Sequence, residues 1–297
     1  MRLPPSRIVT RVNATLAHSK LSGDLLERQV QLACVLEVSA AKPGNITPTH
    51  DFSDTTYTDM VRSALALGRV CARDAARGRT VGELIADGVE ATAQVASANT
   101  NLGIVLLFAP LVRADLTRRT DEPLRAALER TLAGLDVRDA SAAFAAIARA
   151  NPGGLGEAPQ HDVRAPAHVS LRQAMEAAAH RDSIASEYAT GYAIVFETGL
   201  PLLGDALRGG RSTLEAIVSL HVGLLACHPD SLIARKAGAA AARAVTEAAR
   251  EVRDGRRSLQ DFDSSLRSEG GRLNPGTTAD LVAATLLAAL MTGVRLP

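Results

Sequence analysis

The sequence predicts an all-α protein, a single-domain multi-helix bundle with long polar loops lining a central cleft. Three observations carry this. Apolar residues recur at three- and four-residue steps along most of the chain. Runs of strand-like alternation with β-branched residues are nearly absent. Apolar residues make up 46% of the chain whereas aromatics are 3% and Trp is missing, so the core is expected to be Ala, Leu, Val and Ile on closely approaching helices.

Residues 1–20, MRLPPSRIVTRVNATLAHSK, lack the apolar stretch of a secretory signal and read as an N-terminal extension, with 21–297 a single helical domain. A helix is expected over about 24–41. Met60, Ala64, Leu67, Gly68, Cys71 and Ala75 make one amphipathic face, and Ile85, Gly88, Val89, Thr92 and Val95 make the next. Thr80 with Glu83, and Ser212 with Glu215, have the spacing of capping boxes. Further helices are expected at about 99–118, 122–133, 137–150, 168–180, 183–198, 212–226, 230–253, 258–268 and 275–293, with Ile104–Val112 ambiguous between helix and strand. Irregular segments interrupt them at 42–58, 151–167 and 270–275. No composition shift follows the second of these, so one domain with functional loops is preferred over two domains and a linker.

With 33 Lys+Arg against 32 Asp+Glu, the charge balance predicts neither nucleic acid nor an anionic membrane as partner. The longest apolar run, Leu281 to Val294, is shorter than the roughly 20 residues of a membrane span. Three widely spaced cysteines, Cys34, Cys71 and Cys227, read as core thiols in a reducing, cytoplasmic compartment. Ala-rich exposed faces would permit a homodimer without requiring one.

Four stretches carry candidate chemistry. In KPGNITPTHDFSDTTYTDM, Pro43 and Gly44 turn the chain after the helix bearing Glu37, holding Lys42, Asn45, Thr47, Thr49, His50 and Asp51 toward one place. Asp59 follows in the next helix's first turn, as a functional carboxylate or simply one favoured by the helix dipole. In SANTNLGI, Asn99, Thr100, Asn101 and Gly103 either start a helix whose N–H groups suit a phosphate or form an ordinary side-chain cap. In CHPDSLIARKAG, Arg235 and Lys236 suit phosphate and Asp230 magnesium, the alternative being surface charge. In LNPGTTADL, Asn274 is expected at N-cap and Pro275 at N1, with Asp280 either favouring the dipole or binding a metal. His161, His168, His221 and His228 are too loosely spaced for a zinc motif. No dinucleotide fingerprint, Walker loop or nucleophile elbow occurs.

Taken in order, EVSAAKPGNITPTHDF, Asp59-Met60, SANTNLG, PDSLIARKAG and LNPGTTADL resemble the triphosphoribosyl-dephospho-CoA synthase family over about residues 28 to 293. The resemblance implies an all-helical fold that transfers ribose 5-triphosphate from ATP to the 2′-hydroxyl of dephospho-CoA and releases adenine. The product serves as a prosthetic-group precursor for citrate and malonate lyase-type decarboxylases. Glu37, Ser39, Lys42, Pro43 and Gly44 match one family element, Asn274-Pro275-Gly276 with Ala279-Asp280-Leu281 a second, and Asp230 with Arg235 a weaker third. Where members of the CoA pathway read Asn-Thr-His-Lys-Gly, this chain has Asn99-Thr100-Asn101-Leu102-Gly103. That form resembles a branch in methanogens and methylotrophs associated with tetrahydromethanopterin-type one-carbon cofactor synthesis.

On this resemblance Glu37 and Asp59 are the expected base and oxocarbenium stabiliser. Asp59, Asp230 and Asp280 are expected to share magnesium, and Lys42, Arg235 and Lys236 to hold the phosphates of ATP as substrate. Asn99, Thr100 and Asn101 would position sugar or base, with Ser39, Gly44, Asn45, His50, Gly103 and Asn274 completing the nucleotide site. The partners are then small molecules, a nucleotide and an acceptor. Alternatives are a pterin or ribosyl-aniline acceptor, a non-catalytic nucleotide-binding helical protein, and a magnesium-dependent N-glycoside hydrolase.

Overall fold

Helix α1 (25–39) buries Leu26, Val30, Ala33 and Cys34, a three-to-four spacing that turns one stripe inward. It begins the described part of the computed structural model, which covers residues 25–72, 74–96, 98–152, 160–268 and 270–296. The extension expected at 1–20 and part of the 151–167 loop lie outside these residues. The helices that follow are α2 (Tyr57–Ala72), α3 (Val81–Ala93), α4 (Leu102–Thr117), α5 (Leu124–Ala133), α6 (Val137–Ala150), α7 (Leu171–Ala178) and α8 (Ser183–Thr190). Beyond a wide π-type turn at Ile194–Gly199 come α9 (Leu200–Arg208), α10 (Thr213–Cys227), α11 (Ser231–Ala237), α12 (Ala239–Arg253), α13 (Leu259–Arg267) and α14 (Gly276–Met291). Among the described residues there is no named strand, only an isolated antiparallel bridge between Thr47 and His50. The protein is an all-α single domain.

Helices α4, α10 and α14 are apolar around most of their circumference, which suits burial on all sides. Helix α14 is the hub, touching α4, α8, α9, α10 and α11. Helices α2, α3, α5 and α6 build outward from the α4 side, and α12 with α13 from the α10 side. Small residues set the spacing. A Cβ at Gly82 would lie 2.5 Å from the Asp139 Cα, so only glycine lets α3 approach α6 this closely; the Gly82 N–H then donates to Asp139 Oδ1 at 2.8 Å. Within α4, Pro110 has no N–H for the Leu106 carbonyl. The hydroxyl of Tyr188 donates to that carbonyl at 2.6 Å, and Tyr192 donates to the Leu107 carbonyl at 2.8 Å.

Both predicted capping boxes form, and the ambiguous Ile104–Val112 stretch is helical. Four expectations change. The helix expected at 183–198 breaks where Gly191 (φ 65) and Tyr192 (φ 60) are left-handed, Glu187 capping the new start by accepting from Ile194 and Val195. Helix α9, unpredicted, carries Pro201 in its first turn, where its missing N–H is harmless. The helix expected at 230–253 is split at Gly238 (φ 93). Pro275, not Asn274, occupies the N-cap of α14, and Gly276 is N1. Cys34 and Cys71 are buried as expected, whereas Cys227 is exposed at the end of α10. No single helix among the described residues is long and apolar enough to cross a membrane.

Candidate functional site

A cleft of about 1490 Å³ opens where the 40–56 segment meets the starts of α4, α8 and α14 and the ends of α11 and α13. Of the predicted residues, Glu37, Gly44, Asn45, His50, Asn99, Thr100, Asn101, Gly103, Arg235, Lys236, Asn274 and Asp280 line it. Ser39, Lys42, Asp59 and Asp230 do not.

The wall formed by the 40–56 segment is held from behind. Lys42, 1% exposed, sets its Nζ 2.9 Å from Glu37 Oε1 and also donates to the Glu37 carbonyl. Its ammonium is thus committed to Glu37 of α1 and is not presented to a phosphate. Gly44 turns the chain at φ 73, and a Cβ there would meet Leu266 at 2.9 Å. Helix α13 clamps this turn: Asp263 Oδ1 accepts from the Gly44 N–H at 2.8 Å, and Arg267 Nη2 donates to the Asn45 carbonyl at 2.8 Å. Behind the loop, burial and the nearby Lys42 charge push His221 down to about 3, so this imidazole is neutral at physiological pH. His50 stands on the rim, its Nδ1 2.9 Å from the Thr49 hydroxyl.

The three carboxylates expected to share a metal are not brought together. Asp59 Oδ2 accepts from the N–H and hydroxyl of Thr56 at 3.1 and 2.7 Å, and its own N–H donates back to Thr56 Oγ1 at 3.2 Å. This is a capping box at the start of α2, and it holds the Asp59 carboxyl below the usual carboxylate range. Asp230 is 2% exposed; its Oδ1 accepts from the N–H groups of Leu232 and Ile233 and its Oδ2 from the N–H and hydroxyl of Thr278. That carboxylate ties α11 to α14 and has no lone pair directed elsewhere. Among the described residues no three His, Cys, Asp or Glu side chains are grouped to hold a metal ion. Ser39 shares a hydrogen bond of 3.0 Å with the Tyr57 hydroxyl instead of facing the cleft.

At the start of α4, Asn99 Oδ1 accepts from the Leu102 N–H at 3.1 Å and Thr100 donates to the Ser63 hydroxyl at 2.7 Å. Those two side chains are caps and ties. Asn101, 6% exposed, makes no capping bond, and Asn274 Oδ1, also in the cleft lining, has no partner among the described residues. Gly103 provides room: a Cβ built on it would lie 2.0 Å from Asp280 Oδ2. Asp280 therefore occupies the space over the start of α4 that a phosphate was expected to take. Its carboxyl is pushed well above the usual carboxylate range, first by loss of hydration and then by Glu37 and Asp230, with Arg235 opposing.

Asp182 and Arg267 escaped the sequence reading. Asp182 caps α8, accepting from Ile184 and Ala185 at 2.9 and 3.1 Å, and pairs with Arg235. Its place before an apolar helical run is an N-cap signal, but nothing local says that this helix start faces the cleft.

These features define a class: an all-helical domain whose cleft is assembled from segments far apart in the chain. The family model for ATP:dephospho-CoA triphosphoribosyl transferase matches residues 24–295. A solved Archaeoglobus fulgidus structure, named as a candidate triphosphoribosyl-dephospho-CoA synthase, is similar at 26% identity and a TM-score of 0.63, covering 78% of this chain and 99% of its own. No curated protein matches significantly. The chain belongs to the ATP:dephospho-CoA triphosphoribosyl transferase family. It is therefore an enzyme of the transferase class, as its sequence motifs implied.

Proposed function

We propose that this protein transfers ribose 5-triphosphate from ATP to a hydroxyl of a second substrate, releasing adenine. The observation that carries the reading is that Glu37 of α1 and Asp280 of α14 line one cleft whose rim bears Arg235, Lys236 and Arg267. Cleavage at the anomeric carbon develops positive charge on the ribose, which a fixed carboxylate stabilises, while rim cations suit the triphosphate. Glu37, fixed by Lys42, fills the first role. Asn101 and Asn274 offer unspent amide groups for ribose hydroxyls or purine edges. At about 1490 Å³ the cleft exceeds the roughly 300–1,000 Å³ typical of a single small-ligand pocket, which favours two substrates over water as acceptor.

Magnesium is the expected companion of the triphosphate. Among the described residues no three acidic side chains are grouped so as to hold an ion, so the residues present do not fit a protein-held one, and any magnesium would be carried by the phosphates. The unpaired cysteines fit a reducing, cytoplasmic compartment.

Leu102, 8% exposed, stands where CoA-pathway members carry a Lys, so the start of α4 supplies no cation. This favours an acceptor other than dephospho-CoA, of the kind used in tetrahydromethanopterin-type cofactor synthesis. The test is to incubate purified protein with magnesium-ATP and either dephospho-CoA or a pterin or ribosyl-aniline acceptor, following free adenine by chromatography. Adenine released in step with acceptor consumption is the expected result. No adenine under any combination overturns the reading, and release without acceptor converts it to a hydrolase.

A further inference from the structure

We propose that the Asp280 carboxylate is the base that takes the proton from the acceptor hydroxyl; the assignment rests on the glycosyl-transfer reading above. It starts from a difference among the acidic groups around the cleft. Glu37 is bound to Lys42, Asp182 caps α8 and pairs with Arg235, and Asp230 accepts four hydrogen bonds. Asp280 accepts none from any described residue, yet it is half-buried in the cleft wall.

Partly buried carboxylates are ordinarily matched by donors, and one left unmatched in a substrate-sized cleft is where a reacting proton can be received. The neighbouring helix is shaped around it, since any side chain larger than hydrogen at position 103 would occupy the carboxylate's place. The α4 N-terminus beside it supplies a positive dipole end that favours the charged form. Loss of hydration, then Glu37 from α1, Asp230 from the start of α11 and Asp182 from α8 disfavour that form, while Arg235 of α11 favours it. The net displacement is upward, so the carboxylate holds an incoming proton more firmly than a solvated one would.

The step balances without a further reactant. The acceptor oxygen forms its bond to the ribose anomeric carbon as the bond from that carbon to the adenine nitrogen breaks. The bonding electron pair leaves on adenine. The acceptor's proton passes to an Asp280 oxygen and from there to the departing adenine or to water, restoring the carboxylate.

Asp280→Asn keeps shape and removes the base. The assay is adenine release from magnesium-ATP with the acceptor that supports wild-type turnover, together with the ATP-induced rise in melting temperature. Expected are a fall in kcat of roughly 10²–10⁴ and a retained ATP-induced shift. Asp280→Glu should recover part of the rate, and wild-type kcat/KM should fall toward acid pH with a limb absent from Asp280→Asn. Wild-type turnover with Asp280→Asn within tenfold of it, or the same acid limb in the Asp280→Asn profile as in wild type, overturns the assignment alone. No wild-type adenine release overturns the transfer reading and the assignment with it.

Discussion

Lys42 separates a structural from a ligand-binding role for the 40–56 wall, and Lys42→Met makes the separation measurable. The Lys42 and Glu37 side chains are 0% and 4% exposed with their charged atoms 2.9 Å apart, so solvent screening gives little discount. Removing one partner of a buried pair costs about 3–5 kcal/mol, because the other charge stays buried and uncompensated. The Glu37 carbonyl also loses its donor, adding about 1 kcal/mol. For a chain of this size each kcal/mol moves the melting temperature by about 2 °C, so Lys42→Met should melt about 8–12 °C lower. Glu37→Gln/Lys42→Met should regain at least about 2 kcal/mol over Lys42→Met, since neither charge is then orphaned. Urea midpoints and calorimetry measure this. ATP, if it binds the rim rather than Lys42, should still raise the melting temperature of Lys42→Met. A single variant within about 1 kcal/mol of wild type, or a double variant equal to the sum of its singles, would refute the reasoning.

Two further outcomes follow from other buried groups. Burial pushes Glu187 from 4.5 up to about 7 against the N–H groups of Ile194 and Val195; a raised carboxyl binds its proton more tightly folded than unfolded. Stability should therefore fall as pH rises from about 4.5 to 7, by about 1.4 kcal/mol per unit and about 3 kcal/mol in all, and level off above. Urea titrations across this range should show the slope in wild type and lose it in Glu187→Gln, and identical slopes would contradict the account. Gly103→Ala places a methyl 2.0 Å from Asp280 Oδ2; a side-chain end can rotate away, so stability should fall by only about 1–3 kcal/mol. Adenine release should fall far more than that, and an unchanged rate with a stable protein would show that the Asp280 position is not needed.

The helices were legible because Ala, Leu and Val at helical spacing, with hydroxyl and carboxylate caps three residues apart, are local signals. The break after α8 was not: its left-handed Tyr192 is held by a hydroxyl bonded to the Leu107 carbonyl, 85 residues away, and no local pattern encodes that contact. The site was legible as a set of segments but not as a set of roles, since Asp59, Asp230 and Asp280 look alike in sequence. Their positions relative to helix starts tell them apart. Only the first turn of a helix has spare N–H groups. Asp59, three residues after Thr56, and Asp230, at the N-cap of α11, lie where those groups can be met, and both are spent there. Asp280 is the fifth residue of α14, where each N–H already bonds the carbonyl four residues back, so its helix offers the carboxylate no partner. An acid at that depth receives no hydrogen bond from its own helix, and the cleft it lines is where a substrate proton can meet it.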